Sequence, residues 1–322
     1  MAQYPKFVIH LILLNTAGLL TAPYSHADLP LTIESLTTDK GRFKLDTTVS
    51  YFNQNSSNLL SQGSTNIDLG DGRSITIPNM PTEGKVNTDN LIATLGLRYG
   101  ITEDWEVGVK ANALTLEQRL EHNGKVTTQS DDRFQDILLT TQYQLTKNHN
   151  SLPDSLVFTE LSVYDNTQGL KSDYLTSALV GSTIYTVNDP IALSLTGTYQ
   201  YNGNRDFKES IGKVDIGDVF SLNGSVGFAV NPDITLNTGV GWRMVKGDKF
   251  DNSDISSAKY TETSLNVGLA YALNERSNLT ANLRTAVSGD SGSTLSLGMT
   301  TKLGKLPPPI SEQYRKHKQQ TQ

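Results

Sequence analysis

Apolar residues alternate with small or polar ones along most of this chain. In the clearest example, Leu265, Val267, Leu269 and Tyr271 are separated in turn by an asparagine, a glycine and an alanine. A period of two is typical of β-strands with one apolar face, whereas amphipathic helices repeat every 3.6 residues or so. After residue 27 the chain has no uninterrupted apolar run of roughly 18 residues, the length expected of a transmembrane helix. The sequence therefore predicts an all-β protein.

Twelve strands are predicted from this alternation, each about ten residues long. In the sixth strand it is ambiguous which face is apolar. The predicted strands cover 42–53, 89–100, 105–116, 133–145, 156–164, 174–187, 191–202, 218–230, 234–244, 260–273, 279–288 and 294–303.

The connections between these strands alternate in length. Short turns are predicted at 101–104, 188–190, 231–233 and 274–278, whereas 54–88 is a long, polar connection. Short turns at one end and long loops at the other are typical of outer-membrane barrels. We therefore predict a twelve-stranded antiparallel transmembrane β-barrel in the bacterial outer membrane, with short periplasmic turns and long extracellular loops. The alternative, a soluble β-sandwich or β-helix, would not alternate its connections so regularly.

The polar composition is compatible with such a barrel. Hydrophobic residues make up 36% of the chain and the mean hydropathy is −0.35, values that would otherwise suggest a soluble protein. A transmembrane barrel needs apolar residues on its lipid face only. Closure is required because lipid offers no hydrogen-bond partner to a free strand edge.

The barrel is predicted to occupy only part of the chain. Residues 1–27 have a positive start, an apolar run and a small-x-small end, as a secretory signal peptide does. Residues 28–41 are expected to form a short periplasmic segment, 42–303 the barrel, and 304–322 a Pro-containing basic periplasmic tail. The alternative interpretation of the tail is a peptide that docks a periplasmic partner.

Two sets of side chains are candidates for functional positions. Aromatic residues near strand ends are candidates for a girdle at the lipid headgroups, with ordinary strand propensity as the alternative. They are Tyr99, Trp105, Tyr143, Tyr185, Tyr199, Tyr201, Trp242 and Tyr271. Charged residues on the opposite faces are candidates for lining a polar lumen, either along a solute path or as structural ion pairs. They are Lys44, Asp46, Arg98, Glu106, Lys110, Asp136, Glu160, Arg243, Glu262, Arg284 and Lys302.

The first long connection, 54–88, has two interpretations. It folds inward as a constriction, or it is a solvated surface loop. The aspartates at 68 and 71, and those at 248, 251 and 254, do not match the spacing of a calcium-binding EF-hand loop. They are interpreted as solvated loop residues, and no metal or other cofactor is predicted.

Catalysis has little support in the sequence. The five histidines are His10 and His26 in the predicted signal peptide, His122 and His149 in predicted connections, and His317 in the tail. A serine–histidine–acid site needs a histidine held rigidly beside its nucleophile, and no predicted strand carries one. The chain is predicted not to be an enzyme. It also has no basic patch typical of nucleic-acid binding.

One hairpin resembles a known family. The sequence LRYGITEDWEVGV from Leu97 to Val109 is similar to the RYGIT-(D/E)-x-(W/L)-E-(L/V) hairpin of outer-membrane proteins of the meta-pathway phenol-degradation, or transporter-like, family. Residues 136–145 resemble that family's following strand, and the general pattern extends over 42–303. The resemblance implies an outer-membrane channel, often proposed for hydrophobic or aromatic compounds. A similar twelve-stranded barrel exports amyloid subunits, but it carries an N-terminal helical plug that this sequence does not show.

The sequence thus predicts a channel that passes small solutes passively, hydrophobic or aromatic ones included, with outer-membrane lipid and solute as its partners. The alternatives are an export pore for a secreted protein or amyloid-type surface component, and a structural or adhesive barrel.

Overall fold

The fold is described from a computed structural model. The described residues are 37–56, 63–70, 73–79, 85–122, 125–147, 153–166, 170–172, 175–207, 213–251, 253–254, 259–288 and 292–304. The predicted signal peptide and nearly all of the predicted tail lie outside these residues, so both stay predictions. None of the described residues forms a helix with the length and apolar character needed to cross a membrane.

Twelve long strands form one closed barrel. They are β1 (Phe43–Ser56), β4 (Lys85–Gly100), β5 (Trp105–His122), β6 (Lys125–Thr146), β7 (Asp154–Asp165), β9 (Ser177–Asn188), β10 (Ile191–Asn202), β13 (Val219–Asn231), β14 (Ile234–Val245), β17 (Tyr260–Asn274), β18 (Ser277–Ala286) and β19 (Ser293–Leu303). Shorter strands lie in the connections: β2 (Gly63–Gly70), β3 (Arg73–Asn79), β8 (Leu170–Ser172), β11 (Asn204–Phe207), β12 (Lys213–Asp215), β15 (Lys249–Phe250) and β16 (Ser253–Asp254).

Every barrel strand pairs antiparallel with two neighbours, in the order β1-β19-β18-β17-β14-β13-β10-β9-β7-β6-β5-β4. The ring closes at β1, where Phe43 lies opposite Leu303 on one side and opposite Tyr99 on the other. Closure leaves no strand edge facing lipid. The predicted fold class, a twelve-stranded antiparallel barrel of the outer-membrane type, is confirmed.

The outer surface of the barrel is apolar. Leu193 lies opposite Val226 and Leu236 lies opposite Leu269 on neighbouring strands, and all four side chains are exposed on the outside of the ring. Exposed leucine and valine in such rows would be unfavourable in water, but they match a hydrocarbon environment. The period-two pattern therefore distinguishes a lipid face from a lumen face.

The strands nearest the N-terminus extend furthest on the extracellular side. The sequence predicts strands ending at 116 and restarting at 133, but β5 and β6 continue to His122 and Lys125 as one projecting hairpin. The prediction of a loop at 117–132 is wrong because both faces of this projection meet water. The apolar–polar alternation disappears there although strand pairing continues.

The connections also carry strands that the sequence analysis missed. In the order β16-β15-β12-β11-β8, five short strands from three extracellular connections pair into a second sheet. Strands β2 and β3 form a hairpin within the connection predicted as 54–88.

Candidate functional site

The β2–β3 hairpin folds into the barrel. Ile67 and Ile75 are buried against Phe52, Ile92 and Leu114, which belong to the inner faces of β1, β4 and β5. Burying branched aliphatic side chains of this size stabilises the inward position by roughly 1.5–3 kcal/mol each. Of the two interpretations of the first long connection, the inward-folded one is correct.

Ion pairs of the described residues join the hairpin to the barrel wall at two places. Asp68 Oδ2 lies 2.5 Å from Arg284 Nη2 on β18. Arg73 Nε lies 3.0 Å from Glu160 Oε1 on β7. Since β18 and β7 are six strands apart in the twelve-stranded ring, the hairpin contacts opposite parts of the wall and crosses the lumen.

A cavity of about 560 Å³ lies within the barrel, and all twelve barrel strands contribute side chains to its lining. Arg73, Ser74 and Ile75 of the hairpin form part of its boundary. The Ser74 hydroxyl donates a hydrogen bond of 2.8 Å to Gln200 Oε1 on β10. The hairpin therefore narrows the lumen without filling it.

The charged candidates divide between this cavity and other parts of the lumen. Six of them line the cavity: Asp46, Arg98, Glu106, Lys110, Asp136 and Glu160. The other five lie on inward-facing positions elsewhere along the strands: Lys44, Arg243, Glu262, Arg284 and Lys302.

The charges on the β1–β7 side are connected in networks. Arg98 Nε lies 2.6 Å from Asp46 Oδ2 and its Nη2 2.9 Å from Oδ1, a bidentate pair. Arg98 Nη1 also lies 3.2 Å from Glu106 Oε1. Lys110 Nζ lies 2.5 Å from Glu160 Oε1. Charge-assisted pairs of this kind are stronger than neutral hydrogen bonds, so this wall has a fixed polar surface.

The segment before β1 packs against the turn ends of β1, β4 and β5. The Thr38 backbone N–H donates to Glu106 Oε2 at 2.6 Å, and Lys44 Nζ donates to the Thr37 carbonyl at 2.7 Å. Thr38 is fully buried. Lys302 lies opposite Lys44 on β19. At this end the charged side chains therefore hold backbone in place, in addition to facing the lumen.

A second buried cluster lies behind the hairpin, on β13, β14, β17 and β18. Arg243 Nη2 lies 2.6 Å from Glu262 Oε2 on the neighbouring strand. Both outer nitrogens of Arg284 lie 3.3 Å from Asn223 Oδ1. Asp68, interpreted from the sequence as a solvated loop residue, is buried here instead. It was misassigned because its partner Arg284 is more than 200 residues away.

The lumen also has an apolar surface that the sequence analysis missed. Leu156 and Phe158 on β7 and Leu179 and Tyr185 on β9 form a buried cluster, and all four line the cavity. The strand period would have placed Leu156 and Phe158 inward, because they share parity with the candidate Glu160. We call these four residues the apolar patch.

The assignment of Tyr185 to the aromatic girdle is wrong. Its side chain is 5% exposed and faces the lumen, where its hydroxyl accepts a hydrogen bond of 2.6 Å from Gln144. Strand β9 has apolar residues on both faces, so the alternation of its sequence does not show which face points into the lumen. Tyr185 therefore cannot contribute to a girdle on the lipid side.

The other seven aromatic candidates are exposed on the outside of the barrel, in two groups. Those near the periplasmic turns are Tyr99, Trp105, Tyr143 and Tyr271, and those near the extracellular ends are Tyr199, Tyr201 and Trp242.

A polar cluster lies at the extracellular rim, outside the membrane-spanning strands. Asp218 accepts hydrogen bonds of 2.7 Å from Lys246 Nζ and from the Tyr199 hydroxyl. Burial raises the pKa of Asp218, but these bonds and one from the Asn202 backbone outweigh burial and lower the pKa below its usual range. Asp218 therefore stays ionised at neutral pH and fixes the two partner side chains.

Comparison with known proteins agrees with the hairpin resemblance. A family model described as "Putative MetA-pathway of phenol degradation" matches residues 37–298, most of the chain. No curated protein matches the sequence significantly.

Several solved structures share the barrel architecture. An outer-membrane channel from Pseudomonas putida F1 is 12% identical, with a TM-score of 0.59 and coverage of 88% of this chain and 100% of that one. The transport unit of the autotransporter AIDA-I from Escherichia coli is 12% identical, with a TM-score of 0.49 and coverage of 94% and 100%. The CymD monoaromatic hydrocarbon channel is 11% identical, with a TM-score of 0.44 and coverage of 83% and 90%. At these identities the first likeness supports the fold and the others add no argument.

Proposed function

Because the chain belongs to the family of the MetA pathway of phenol degradation, we propose that it is an outer-membrane channel for the passive diffusion of small solutes. Aromatic compounds that carry a polar group are the class we favour. We also propose that the chain is not an enzyme. In this proposal residues 1–27 are removed, 28–41 lie in the periplasm, 42–303 form the channel and 304–322 extend into the periplasm.

The observation that carries this proposal is the cavity inside the closed barrel. Its volume of about 560 Å³ lies within the range of roughly 300–1,000 Å³ that is typical of small-molecule sites. The apolar patch on β7 and β9 lies directly beside the Glu160–Lys110 pair, since Phe158 and Glu160 are successive inward residues of β7. A ring with one polar substituent matches such a surface, because the ring loses water on the patch while the substituent keeps polar partners.

The charged candidates and the exposed aromatics have separate roles in this proposal. The charged residues that line the cavity keep the lumen hydrated and provide exchangeable partners along the path. The seven outward aromatics form the headgroup girdle.

Conductance in planar bilayers and swelling of proteoliposomes test the channel. The informative variant replaces residues 63–79 with a short Gly-Ser linker, which removes the hairpin and leaves the barrel strands intact. The wild type is expected to conduct, and the variant is expected to conduct several-fold more. Absence of conductance in both proteins, when both are folded by gel-shift assay, would exclude the proposal.

A further inference from the structure

We propose that Asp68 occupies a binding site for organic carboxylates and that a carboxylate solute releases the hairpin by displacing it. This inference rests on the proposed channel and specifies the solute class of its lumen. The site is built by Arg243, Arg284, Asn223 and Ser264, which we call the arginine site.

The wall of the arginine site carries an excess positive charge. Among the ion pairs of the described residues, the wall carboxylate beside these two arginines is Glu262, which lies 2.6 Å from Arg243. The second negative charge comes from Asp68 on the hairpin, 2.5 Å from Arg284. The Asp68 carboxylate also interacts electrostatically with Arg243. Without the hairpin, the wall would keep a net charge of +1 in a buried position, which is unfavourable unless an anion replaces Asp68.

The strand register gives the arginine site its shape. Asn223, Gly241 and Ser264 lie opposite one another on three adjacent strands. A Cβ atom at Gly241 would lie 2.3 Å from Arg284 Nη2 and 2.7 Å from Ser264 Oγ. A side chain at position 241 would therefore displace these polar groups, including the outer edge of the Arg284 guanidinium that faces Asp68.

The arginine site also has hydrogen-bonding capacity that Asp68 does not use. Nδ2 of Asn223, Oγ of Ser264 and Nε of Arg284 have no hydrogen-bond partner among the described residues. The three residues are 8%, 1% and 7% exposed. Buried polar atoms are normally paired. A free carboxylate has two acceptor oxygens and is not tied to a backbone, so it can approach these donors in ways that Asp68 cannot.

The hairpin couples carboxylate binding to the opening of the lumen. Asp68 and Arg73 are the charged anchors among the described residues of the hairpin, and both lie near its tip. Loss of the Asp68 anchor leaves Arg73 and the apolar contacts of Ile67 and Ile75. A carboxylate that binds the arginine site only after Asp68 has left it therefore favours the open position by its own binding free energy.

Binding of benzoate to the purified full-length protein in detergent, measured by calorimetry, tests the inference, with uncharged benzamide as the comparison ligand. Asp68→Asn removes the internal competitor. If Asp68 fills the site more than nine-tenths of the time, benzoate should bind about tenfold tighter to this variant than to the wild type. Arg284→Gln should abolish the preference for benzoate over benzamide. If Arg284→Gln does not fold, Arg284→Lys replaces it in the test. Lysine keeps the positive charge but loses the planar guanidinium with its several N–H donors, so the preference for benzoate should weaken.

Two matched variants test the coupling between binding and release of the hairpin. Arg73→Gln frees the other anchor, so it should raise conductance and, because the hairpin is then easier to displace, should also tighten benzoate binding. Asp218→Asn removes a carboxylate at the rim and should change neither. The inference is overturned if Asp68→Asn binds benzoate no tighter than the wild type, or if the arginine variants keep full selectivity. The expected binding pattern without conductance in any variant would instead refute the channel and leave the site standing.

Discussion

Glu160 is expected to be the most sensitive carboxylate of the lumen. Its side chain is 9% exposed, and a single oxygen, Oε1, lies 2.5 Å from Lys110 Nζ and 3.0 Å from Arg73 Nε. At an effective dielectric constant of about 20, Coulomb's law gives roughly 6 kcal/mol of attraction for each of these pairs. Desolvation of the three charges cancels much of that attraction.

Glu160→Gln keeps the shape of the side chain and removes its charge. Lys110 is then left buried on the wall without its counter-charge, and removing one member of a buried pair typically costs about 3–5 kcal/mol. We expect the free energy of unfolding to fall by this amount, toward the lower limit because Arg73, on the hairpin, can move to water. Equilibrium unfolding in urea from phospholipid vesicles measures it. The two tryptophans, Trp105 and Trp242, are both on the lipid face and report insertion by fluorescence.

Asp218→Asn is the matched control, since it makes the same chemical change at the rim. Its partner Lys246 is 56% exposed, and ion pairs exposed to water contribute little to stability. The double variant Lys110→Met with Glu160→Gln should recover part of the lost free energy of unfolding, because it also removes the unpaired charge of Lys110. Equal destabilisation by the two carboxylate variants would show that the lumen solvates Glu160 as well as bulk water does, and the reasoning would fail.

Two further predictions concern the apolar patch and the periplasmic mouth. A Cβ at Gly181 would lie 2.3 Å from the Phe158 ring, so Gly181→Ala should lower stability by about 1–3 kcal/mol and reduce conductance. In a protein that already carries Phe158→Ala, Gly181→Ala should change neither the stability nor the conductance. Glu106→Gln should speed hydrogen exchange of the Thr38 amide about tenfold or more, since a bond to a charged group contributes roughly 1.5–3 kcal/mol. Glu103→Gln is the control, because the Thr37 side chain contacts the backbone of Glu103, which the substitution leaves intact. It should not change the exchange rate of the Thr38 amide.

The barrel was predictable from sequence because each strand lies between two different environments. Lipid on one side and a wet lumen on the other impose a period of two, as in Leu265, Val267 and Leu269. The same rule fails beyond residue 116, where β5 and β6 leave the membrane and both faces meet water. It also fails for Tyr185, because β9 has apolar residues on both faces.

The contents of the lumen could not be predicted in the same way. The inward position of the hairpin depends on pairs such as Asp68 with Arg284, and ring closure brings these residues together from distant parts of the sequence. Alternation identifies which residues face inward, but it does not say which inward residue lies across from which. Part of the apolar patch could have been predicted from the sequence. Leu156 and Phe158 are alternate residues of the same strand as Glu160, so they face the lumen as it does.

The projecting β5–β6 hairpin has a consequence for solubility. Residues 136–146 of β6 pair with β7, but residues 125–133 are paired by the described strands only on the β5 side. Such an uncovered edge is a template for strand addition and aggregation. Here it carries Lys125, Asp131, Asp132 and Arg133, and charges of both signs along an edge oppose pairing with another chain. The barrel thus avoids edges in lipid by closing, and protects the edge it exposes to water with charge.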